Sequence, residues 1–395
     1  MTAHAVTRPL LVIFLTIFVN LIGFGIIIPL LPFYAETFGA SPVAIGLLFA
    51  VFSLCQLVAA PALGDLSDRY GRRPILIFSL AGTVVSFVML AVAHSLTMLF
   101  LARIVDGLSG GNISTARAYV ADITEPKDRA HAYGLIGAAF GLGFILGPAI
   151  SGALASISYA APVWAAAAIT LAAAVVAWAW LPETVHRAHA GTGMPFRYLP
   201  GLLQRPGLRR MLAIDFVYWF AFAVFQTTFA LFAARRFGFD VSQTGYFFAA
   251  FGLLGAAVQG GLIRPVVRRL GDRRTFQLGL VCAAVGLVAA TLTHAVATLA
   301  VALIPLALGI GFGHPTMASL VSRAARGDEQ GRVQGTASAL ESLGRAVGPV
   351  WGNASLQHLG ESTPYLSAAA LLGMTLVLTI GYQVGDADAP LATSV

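Results

Sequence analysis

The chain has 395 residues, of which 58% are hydrophobic and only 10% are charged, and its formal net charge at pH 7 is +7. Soluble domains usually carry about 25% charged residues, so this composition excludes an ordinary water-soluble fold and indicates that lipid is the main solvent. The positive charge does not indicate a nucleic-acid partner, because most of the 24 Lys and Arg residues lie in loops on one predicted side of a membrane.

Apolar segments long enough to cross a bilayer, which takes roughly 20 residues, follow one another along the chain. Twelve such segments are predicted to be transmembrane helices: 9–34, 42–63, 74–93, 97–120, 131–156, 160–181, 210–236, 243–269, 275–294, 296–322, 332–358 and 363–384. The loops between them are short except for 182–209. We therefore expect an all-α protein with an N-terminal six-helix bundle over 1–181, a linker over 182–209 and a C-terminal six-helix bundle over 210–395.

Basic side chains mark one side of the predicted membrane. Arg69, Arg72 and Arg73 follow the second segment, the linker carries several arginines, and Arg273 and Arg274 follow the eighth segment. Since loops rich in Lys and Arg stay in the cytoplasm, both termini and the linker are expected to be cytoplasmic. The first apolar stretch is too long for a cleaved signal peptide and has no A-x-A site after it, so we expect a retained first helix in a bacterial inner membrane.

One pattern of small residues occurs twice, with a shift of 201 positions (335 minus 134). The two copies are Gly134, Gly143, Gly147 and Pro148 in the fifth segment, and Gly335, Gly344, Gly348 and Pro349 in the eleventh. Transporters built from two similar halves place the substrate path between them. The repeat therefore predicts two bundles related by pseudo-twofold symmetry, and it predicts transport.

The loop after the second segment reads Gly64-Asp65-Leu66-Ser67-Asp68-Arg69-Tyr70-Gly71-Arg72-Arg73. Gly71 allows a tight turn, and Asp68 and Arg72 are suited to charge-assisted bonds between helix ends. The run resembles the cytoplasmic loop motif of the major facilitator superfamily, G-x-L-x-D-R-x-G-R-R. The resemblance implies the major facilitator fold. It also implies a latch that holds the outward-facing state through a contact between Arg72 and Asp122. The predicted latch residues are Gly64, Asp68, Arg69, Gly71, Arg72 and Asp122. The alternative is a solvated positive-inside loop.

The loop after the eighth segment carries a degraded copy of this motif. Gly271 stands 200 positions after Gly71 (271 minus 71), but the acid that would correspond to Asp68 is missing. A weaker second latch is therefore expected.

The fifth segment resembles the motif of the antiporter branch of the same superfamily. Small residues let helices approach closely, and a proline bends a helix by removing a backbone hydrogen bond; the alternative is ordinary small-residue packing. The residues that match are Gly134, Gly143, Gly147, Pro148 and Gly152. The chain as a whole is similar to 12-helix drug/proton antiporters, including tetracycline exporters, in Asn20–Gly25, Leu101–Arg103 and Ala121–Thr124. Tetracycline exporters carry an acid where Asn20 stands and another in the ninth helix, so the resemblance favours the antiporter class over tetracycline itself.

Charged residues inside predicted spans are costly, at least about 2.5 kcal/mol each at the bilayer centre. Arg103 and Asp106 lie three positions apart in the fourth segment, on one stripe with Gly110, Ser114 and Arg117. The guanidinium favours the ionised acid and the low dielectric favours the neutral acid, so a conformational change can bind or release a proton there. The alternative is a structural ion pair. Glu341 and Arg345 in the eleventh segment are a second candidate pair for proton coupling.

Aromatic and polar residues inside spans are candidates for a substrate cavity, because aromatic planes suit a flat organic compound and an amide orients it. The alternative is aromatics that face lipid or the core. The candidates are Asn20, Asn112, Tyr218, Trp219, Phe222, Phe225, Gln226 and His314. Asp215, near the start of the seventh segment, is interpreted as structural or gating.

No enzymatic motif is apparent, since the chain has no P-loop, no H-E-x-x-H and no paired Cys/His spacing for a metal. We therefore expect a non-enzyme without cofactor or metal, and either an ion or solute gradient powers transport or transport is passive. The predicted function is proton-coupled efflux of small amphipathic organic compounds by a monomer. One alternative is a facilitator or proton symporter for a sugar or another metabolite. The other is a membrane scaffold or sensor that transports nothing.

Overall fold

The computed structural model describes residues 3–110, 112–124, 129–184, 199–325 and 329–380, and these residues form helices and short connections without a strand. A single π-helical turn, Val258–Leu262, joins α10 to α11. The helices are α1 Ala3–Glu36, α2 Pro42–Tyr70, α3 Arg72–Ala91, α4 Leu96–Ser109, α5 Asn112–Ile123, α6 Arg129–Ala155, α7 Ala160–Trp180, α8 Leu199–Leu203, α9 Pro206–Phe237, α10 Val241–Ala257, α11 Ile263–Thr291, α12 Val296–Ala324, α13 Gln330–His358 and α14 Thr363–Thr379.

The protein is an all-α membrane protein. Within the described part, eight helical stretches are long and apolar enough to cross a bilayer. One of them, Val241–Leu292, is 52 residues long, which at 1.5 Å per residue is about 78 Å, more than twice the bilayer core of about 30 Å. Gly271, with φ 77° and ψ 165°, breaks this stretch in two. The stretch therefore corresponds to the two predicted spans on either side of Gly271.

The Cα positions divide the chain into two compact units. The first comprises Met1–Gly193 and Phe229–Leu253, and the second comprises Met194–Thr228 and Leu254–Val395. The division of the protein into bundles at the 182–209 linker remains a prediction.

One apolar cluster of buried residues in the first unit joins α1, α3, α5, α6 and α7. α1 packs against α6 and α7, and α3 packs against α7. Leu21, Leu76, Tyr119, Ile136 and Ala177 belong to one buried cluster that joins these helices. These helices are apolar on their exposed faces as well, as expected of helices that cross a membrane, so it is packing that selects the buried faces.

Two glycines of the antiporter motif bring the backbone of α6 against that of α1. A Cβ added to Gly147 would lie 2.6 Å from the carbonyl oxygen of Ile22 and 2.7 Å from Cα of Gly25. A Cβ on Gly143 would lie 2.6 Å from Cβ of Leu21. These distances leave no room for any side chain, so the close approach requires glycine at both positions.

The rest of the motif differs from residue to residue. Gly152 faces α10, where an added Cβ would lie 2.8 Å from the carbonyl oxygen of Ser242, whereas a Cβ on Gly134 would meet nothing within 4 Å. Pro148 lies inside α6, and its carbonyl oxygen is 2.6 Å from the position of a Cβ on Gly245. Close helix contact therefore rests on three of the four motif glycines.

Candidate functional site

Two of the predicted latch residues, Asp68 and Asp122, contact Arg72, whereas a Cβ added to Gly64 would meet nothing within 4 Å. Its Nε lies 3.2 Å from Oδ2 of Asp122, and its guanidinium also forms an ion pair with Asp68. Its Nη1 donates to Oγ of Ser67 over 2.6 Å. Arg72 thus links the end of α2 to the end of α5. Arg69 is exposed.

Gly71 forms the turn between α2 and α3 with φ 105°, a conformation that L side chains rarely adopt. Directly after this turn, the carboxylate of Glu183 accepts hydrogen bonds from the backbone N–H groups of Arg72, at 2.9 Å, and Arg73, at 3.2 Å. The first N–H groups of a helix have no partner within the helix, so Glu183 caps α3. Glu183 is not among the residues predicted from the sequence. The signal in the sequence that could have pointed to Glu183 is an acidic residue just after α7, together with a start of α3 that has no capping side chain.

Arg73, the second arginine after Gly71, binds the end of α7. Nη2 of Arg73 donates to the carbonyl oxygen of Trp178 over 2.6 Å. In the second unit, Nε of Arg273 donates to the carbonyl oxygen of Thr379 over 3.0 Å. The shifts between the two bonds are 200 (273 minus 73) and 201 (379 minus 178). The internal repeat therefore extends to side-chain contacts.

The second unit carries an ion pair with reversed charges. Oδ2 of Asp272 lies 2.9 Å from Nη2 of Arg323 and accepts a hydrogen bond from Oγ of Ser319 over 2.8 Å. Asp272 stands at the position that corresponds to Arg72, and Arg323 stands at the one that corresponds to Asp122, 201 positions later (323 minus 122). The acid absent from the Asp68 position thus has a counterpart four residues further along, which the motif comparison overlooks.

Arg103 and Asp106 form a buried ion pair on α4. Nη1 of Arg103 donates to Oδ2 of Asp106 over 2.7 Å, and the two residues are 0% and 6% exposed. The guanidinium carbon lies 4.1 Å from the ring centroid of Phe52. Among the described residues, Nη2 of Arg103 has no hydrogen-bond partner. A buried charge pair with one unsatisfied donor is suited to exchanging a proton or a polar ligand.

The polar stripe predicted along the fourth segment is interrupted. α4 ends at Ser109 and α5 begins at Asn112, so Arg117, which is exposed, does not continue the stripe of Arg103 and Asp106. Nε2 of Gln56 donates to the carbonyl oxygen of Gly110 over 3.0 Å. This side chain supplies a partner for a carbonyl oxygen that a continuous helix would have bonded internally. The side chain of Asn112, a predicted cavity residue, lies outside the described residues.

A second polar cluster occupies the second unit. His314 stacks on Trp219, with ring centroids 4.6 Å apart, and the guanidinium carbon of Arg345 lies 5.1 Å from the centroid of Trp219. Asp215, which is 1% exposed, and Glu341 both attract Arg345 electrostatically. The predicted pair on α13 is therefore part of a larger cluster that includes Asp215.

The Asp215 carboxylate has no hydrogen-bond partner for its Oδ2 within the described ranges. Nε2 of His314 and the hydroxyl of Tyr218 are likewise buried without a partner there. Buried polar atoms without a partner are uncommon in native proteins, and a catalytic role, a bound water or an ion can account for each. Asp215 therefore joins the candidates for proton coupling.

The predicted lining residues of α9 are tightly packed in this conformation. Tyr218 and Phe222 contact His314, with ring centroids 5.4 and 5.0 Å apart, and Phe225 and Gln226 are buried. A cavity of about 10 Å³ touches Tyr218, Phe222 and Phe225, which is room for about one water. Asn20 lies half-buried on α1 of the first unit. The role of these residues as a substrate cavity remains a prediction.

Long apolar helices that carry buried ion pairs define a multi-pass membrane protein of the transporter class. The family model of the Major Facilitator Superfamily matches residues 13–349. The tetracycline resistance protein, class G, of Vibrio anguillarum is 36% identical over 336 residues, which are 83% of this chain and 85% of that protein. Multidrug resistance protein 1 of Bacillus subtilis (strain 168) is 28% identical over 383 residues, 95% of this chain and 96% of that protein. This chain belongs to the major facilitator superfamily.

Solved structures agree on the fold. The human organic anion transporter MFSD10 has a TM-score of 0.74 at 24% identity, covering 96% of this chain and 100% of that chain. The fold is therefore that of the major facilitator transporters, as the resemblance of the 64–73 loop implied.

Proposed function

We propose that this protein exports small amphipathic organic compounds from the cytoplasm in exchange for protons. The observation that carries the proposal is the buried Arg103–Asp106 pair on an apolar helix. A membrane protein retains such a pair at a cost, and the relatives of this chain include proteins named for tetracycline and multidrug resistance. An antiporter needs a buried acid that alternates between two protonation states, and Asp106 is our first candidate.

In the proposed cycle, Arg103 holds Asp106 ionised while water or substrate can reach the pair. The loaded protein then opens outward, where the substrate leaves and a proton from the outside neutralises Asp106, because the emptied site of lower dielectric favours the neutral acid. The protonated, empty protein returns to the inward-open state, where Asp106 gives its proton to the cytoplasm. Alternating access then carries proton and substrate in opposite directions. The latch cluster Asp68–Arg72–Asp122 supports one of the two end states by tying α2 and α3 to the end of α5.

The direction of proton movement distinguishes the candidate functions. The purified protein is placed in liposomes with an imposed pH gradient, and internal pH is followed while cationic dyes, tetracycline and other amphipathic drugs are added. Proton movement opposite to the compound supports antiport. Proton movement with the compound would make the protein a symporter, and flux that ignores the gradient would make it a facilitator.

A pair of variants separates proton coupling from a structural role of Arg103–Asp106. Asp106→Asn is expected to bind substrate and to exchange it down its gradient, but to lose uphill transport. Breaking the pair also lowers stability, because it leaves Arg103 buried without its counter-charge, at a cost of about 3–5 kcal/mol. The double variant Arg103→Met/Asp106→Leu replaces the pair by apolar side chains and is expected to recover stability.

Coupling must stay lost in the stable double variant if Asp106 carries the proton. Uphill transport by that double variant would refute the role of Asp106 and leave a structural pair. Asp215→Asn and Glu341→Gln, measured in the same assay, test the cluster of the second unit as the alternative proton site. The single variant that keeps downhill exchange but loses uphill transport identifies the carrier.

The proposed topology has twelve spans with both termini in the cytoplasm of a bacterial inner membrane, and a monomer as the functional unit. The basic loops around Arg72 and Arg273 support this orientation. Labelling of single cysteines introduced at Arg69 and Arg269, both exposed, tests it in right-side-out and inverted vesicles. Both positions are expected to react only when the cytoplasmic face is accessible.

A further inference from the structure

An open cationic cavity lies where α11 resumes after Gly271. Its volume is about 350 Å³, and nothing in the described part of the chain lies within 4 Å of a Cβ added to Gly271. The residues that line it are Leu270, Gly271, Asp272, Arg273, Arg274, Gln277, Leu320 and Arg323. The transport mechanism proposed above makes no use of this cavity.

The internal repeat indicates what chemistry belongs there. In the first unit the corresponding place, beside Gly71, is filled by the carboxylate of Glu183. That carboxylate accepts the N–H groups of Arg72 and Arg73, whose counterparts 200 positions later are Asp272 and Arg273. The chain thus places an anion of its own in one copy of this site, whereas Asp272 is the one acid that lines the other copy among the described residues.

The charges around the open copy favour an anion more strongly than those of the first. Within the described ranges, Arg273, Arg274 and Arg323 line it against one acid, Asp272. That acid already pairs with Arg323 and accepts a hydrogen bond from Ser319. Arg273 uses its Nε for Thr379. Arg274 is exposed. The lining therefore carries a net positive charge that its own acid does not neutralise.

We propose that this cavity binds the phosphate group of an anionic phospholipid. Leu270, which lines the cavity beside the arginines, is 41% exposed, as expected of a side chain that meets an acyl chain. Basic pockets between transmembrane helices at the cytoplasmic face bind anionic headgroups. A free phosphate ion would satisfy the arginines equally well but would make no use of Leu270 and Leu320 in the lining, which favours lipid as the source of the phosphate.

Lipid binding to the full-length protein tests this proposal by native mass spectrometry in a non-ionic detergent. The protein is titrated separately with phosphatidylglycerol and with phosphatidylcholine. Arg274→Gln is expected to weaken phosphatidylglycerol binding about fivefold, as the loss of one basic contact implies. Phosphatidylcholine binding should not change. Arg269→Gln is the matched control, because Arg269 is exposed on the same loop and does not line the cavity; it should leave both affinities unchanged.

Three results would overturn the proposal. The first is equal loss of phosphatidylglycerol binding in both variants, which would indicate a diffuse surface charge. The second is displacement of the lipid by excess inorganic phosphate with the same dependence on Arg274, which would indicate an ion site. The third is phosphatidylglycerol binding that appears only in Asp386→Asn/Asp388→Asn, which would show that acids of the chain itself occupy the cavity.

Discussion

The four glycines of the α6 motif are equivalent in sequence but are expected to respond differently to alanine. A methyl group on Gly147 would lie 2.6 Å from the carbonyl oxygen of Ile22 and 2.9 Å from the carbonyl carbon of Gly25, where ordinary contact begins at 3.4 Å. α1 and α6 would have to separate by 0.5–0.8 Å (3.4 minus 2.9 and 3.4 minus 2.6). Such overpacking typically costs about 1–3 kcal/mol.

Gly134 provides the matched control on the same helix. A methyl group there meets nothing within 4 Å, so Gly134→Ala gains the helix propensity of alanine, about 0.5–1 kcal/mol. The two substitutions therefore shift stability in opposite directions although the chemical change is identical. Thermal unfolding of the detergent-solubilised variants measures this, with a lower midpoint for Gly147→Ala and an unchanged or higher midpoint for Gly134→Ala.

The refuting result is a pair of equal shifts. If both variants unfolded at the same temperature, then the close contact between α1 and α6 would not limit stability. The motif glycines would then have to be explained by motion during transport. A transport assay on the same two variants, at a temperature where both are folded, separates this possibility from the loss of stability.

Two further predictions concern the ends of the helices. Glu183→Ala is expected to expose the first N–H groups of α3 and to speed hydrogen exchange at Arg72, since loss of a helix cap costs about 0.5–2 kcal/mol; exchange as slow as in the parent protein would contradict the capping role. Asp272→Arg is expected to lower the free energy of unfolding, because it replaces an attraction to Arg323 by a repulsion. The loss should be only about 0.5–1 kcal/mol, since Arg323 is 62% exposed and solvent screens the pair. Adding Arg323→Asp should restore the loss, and a double-mutant cycle without coupling energy would mean that the pair contributes nothing.

The sequence by itself determined the features that depend on solvent and on local geometry. The length of the apolar segments and their low charge show that these segments lie in lipid. A helix must be long enough to cross the hydrocarbon core and must expose few charges to it. The contact between Arg103 and Asp106 was predictable for a similar reason, since residues three apart share a helix face whatever surrounds the helix. The meeting of Arg72 with Asp122, across 50 positions, was accessible only because the loop motif resembles that of a known family.

Only the tertiary structure decided which distant groups meet. The bond from Arg72 to Glu183 spans 111 positions, and no local period encodes it. The pairing of Asp272 with Arg323, and the difference between Gly134 and Gly147, depend likewise on which helix lies opposite. The contacts between side chains on neighbouring helices depend on how close the two backbones come and on which polar groups lose their contact with water. Both the distance between backbones and the access of water are defined only once the helices have packed. For this reason one glycine of α6, Gly134, has open space around it while another, Gly147, is enclosed.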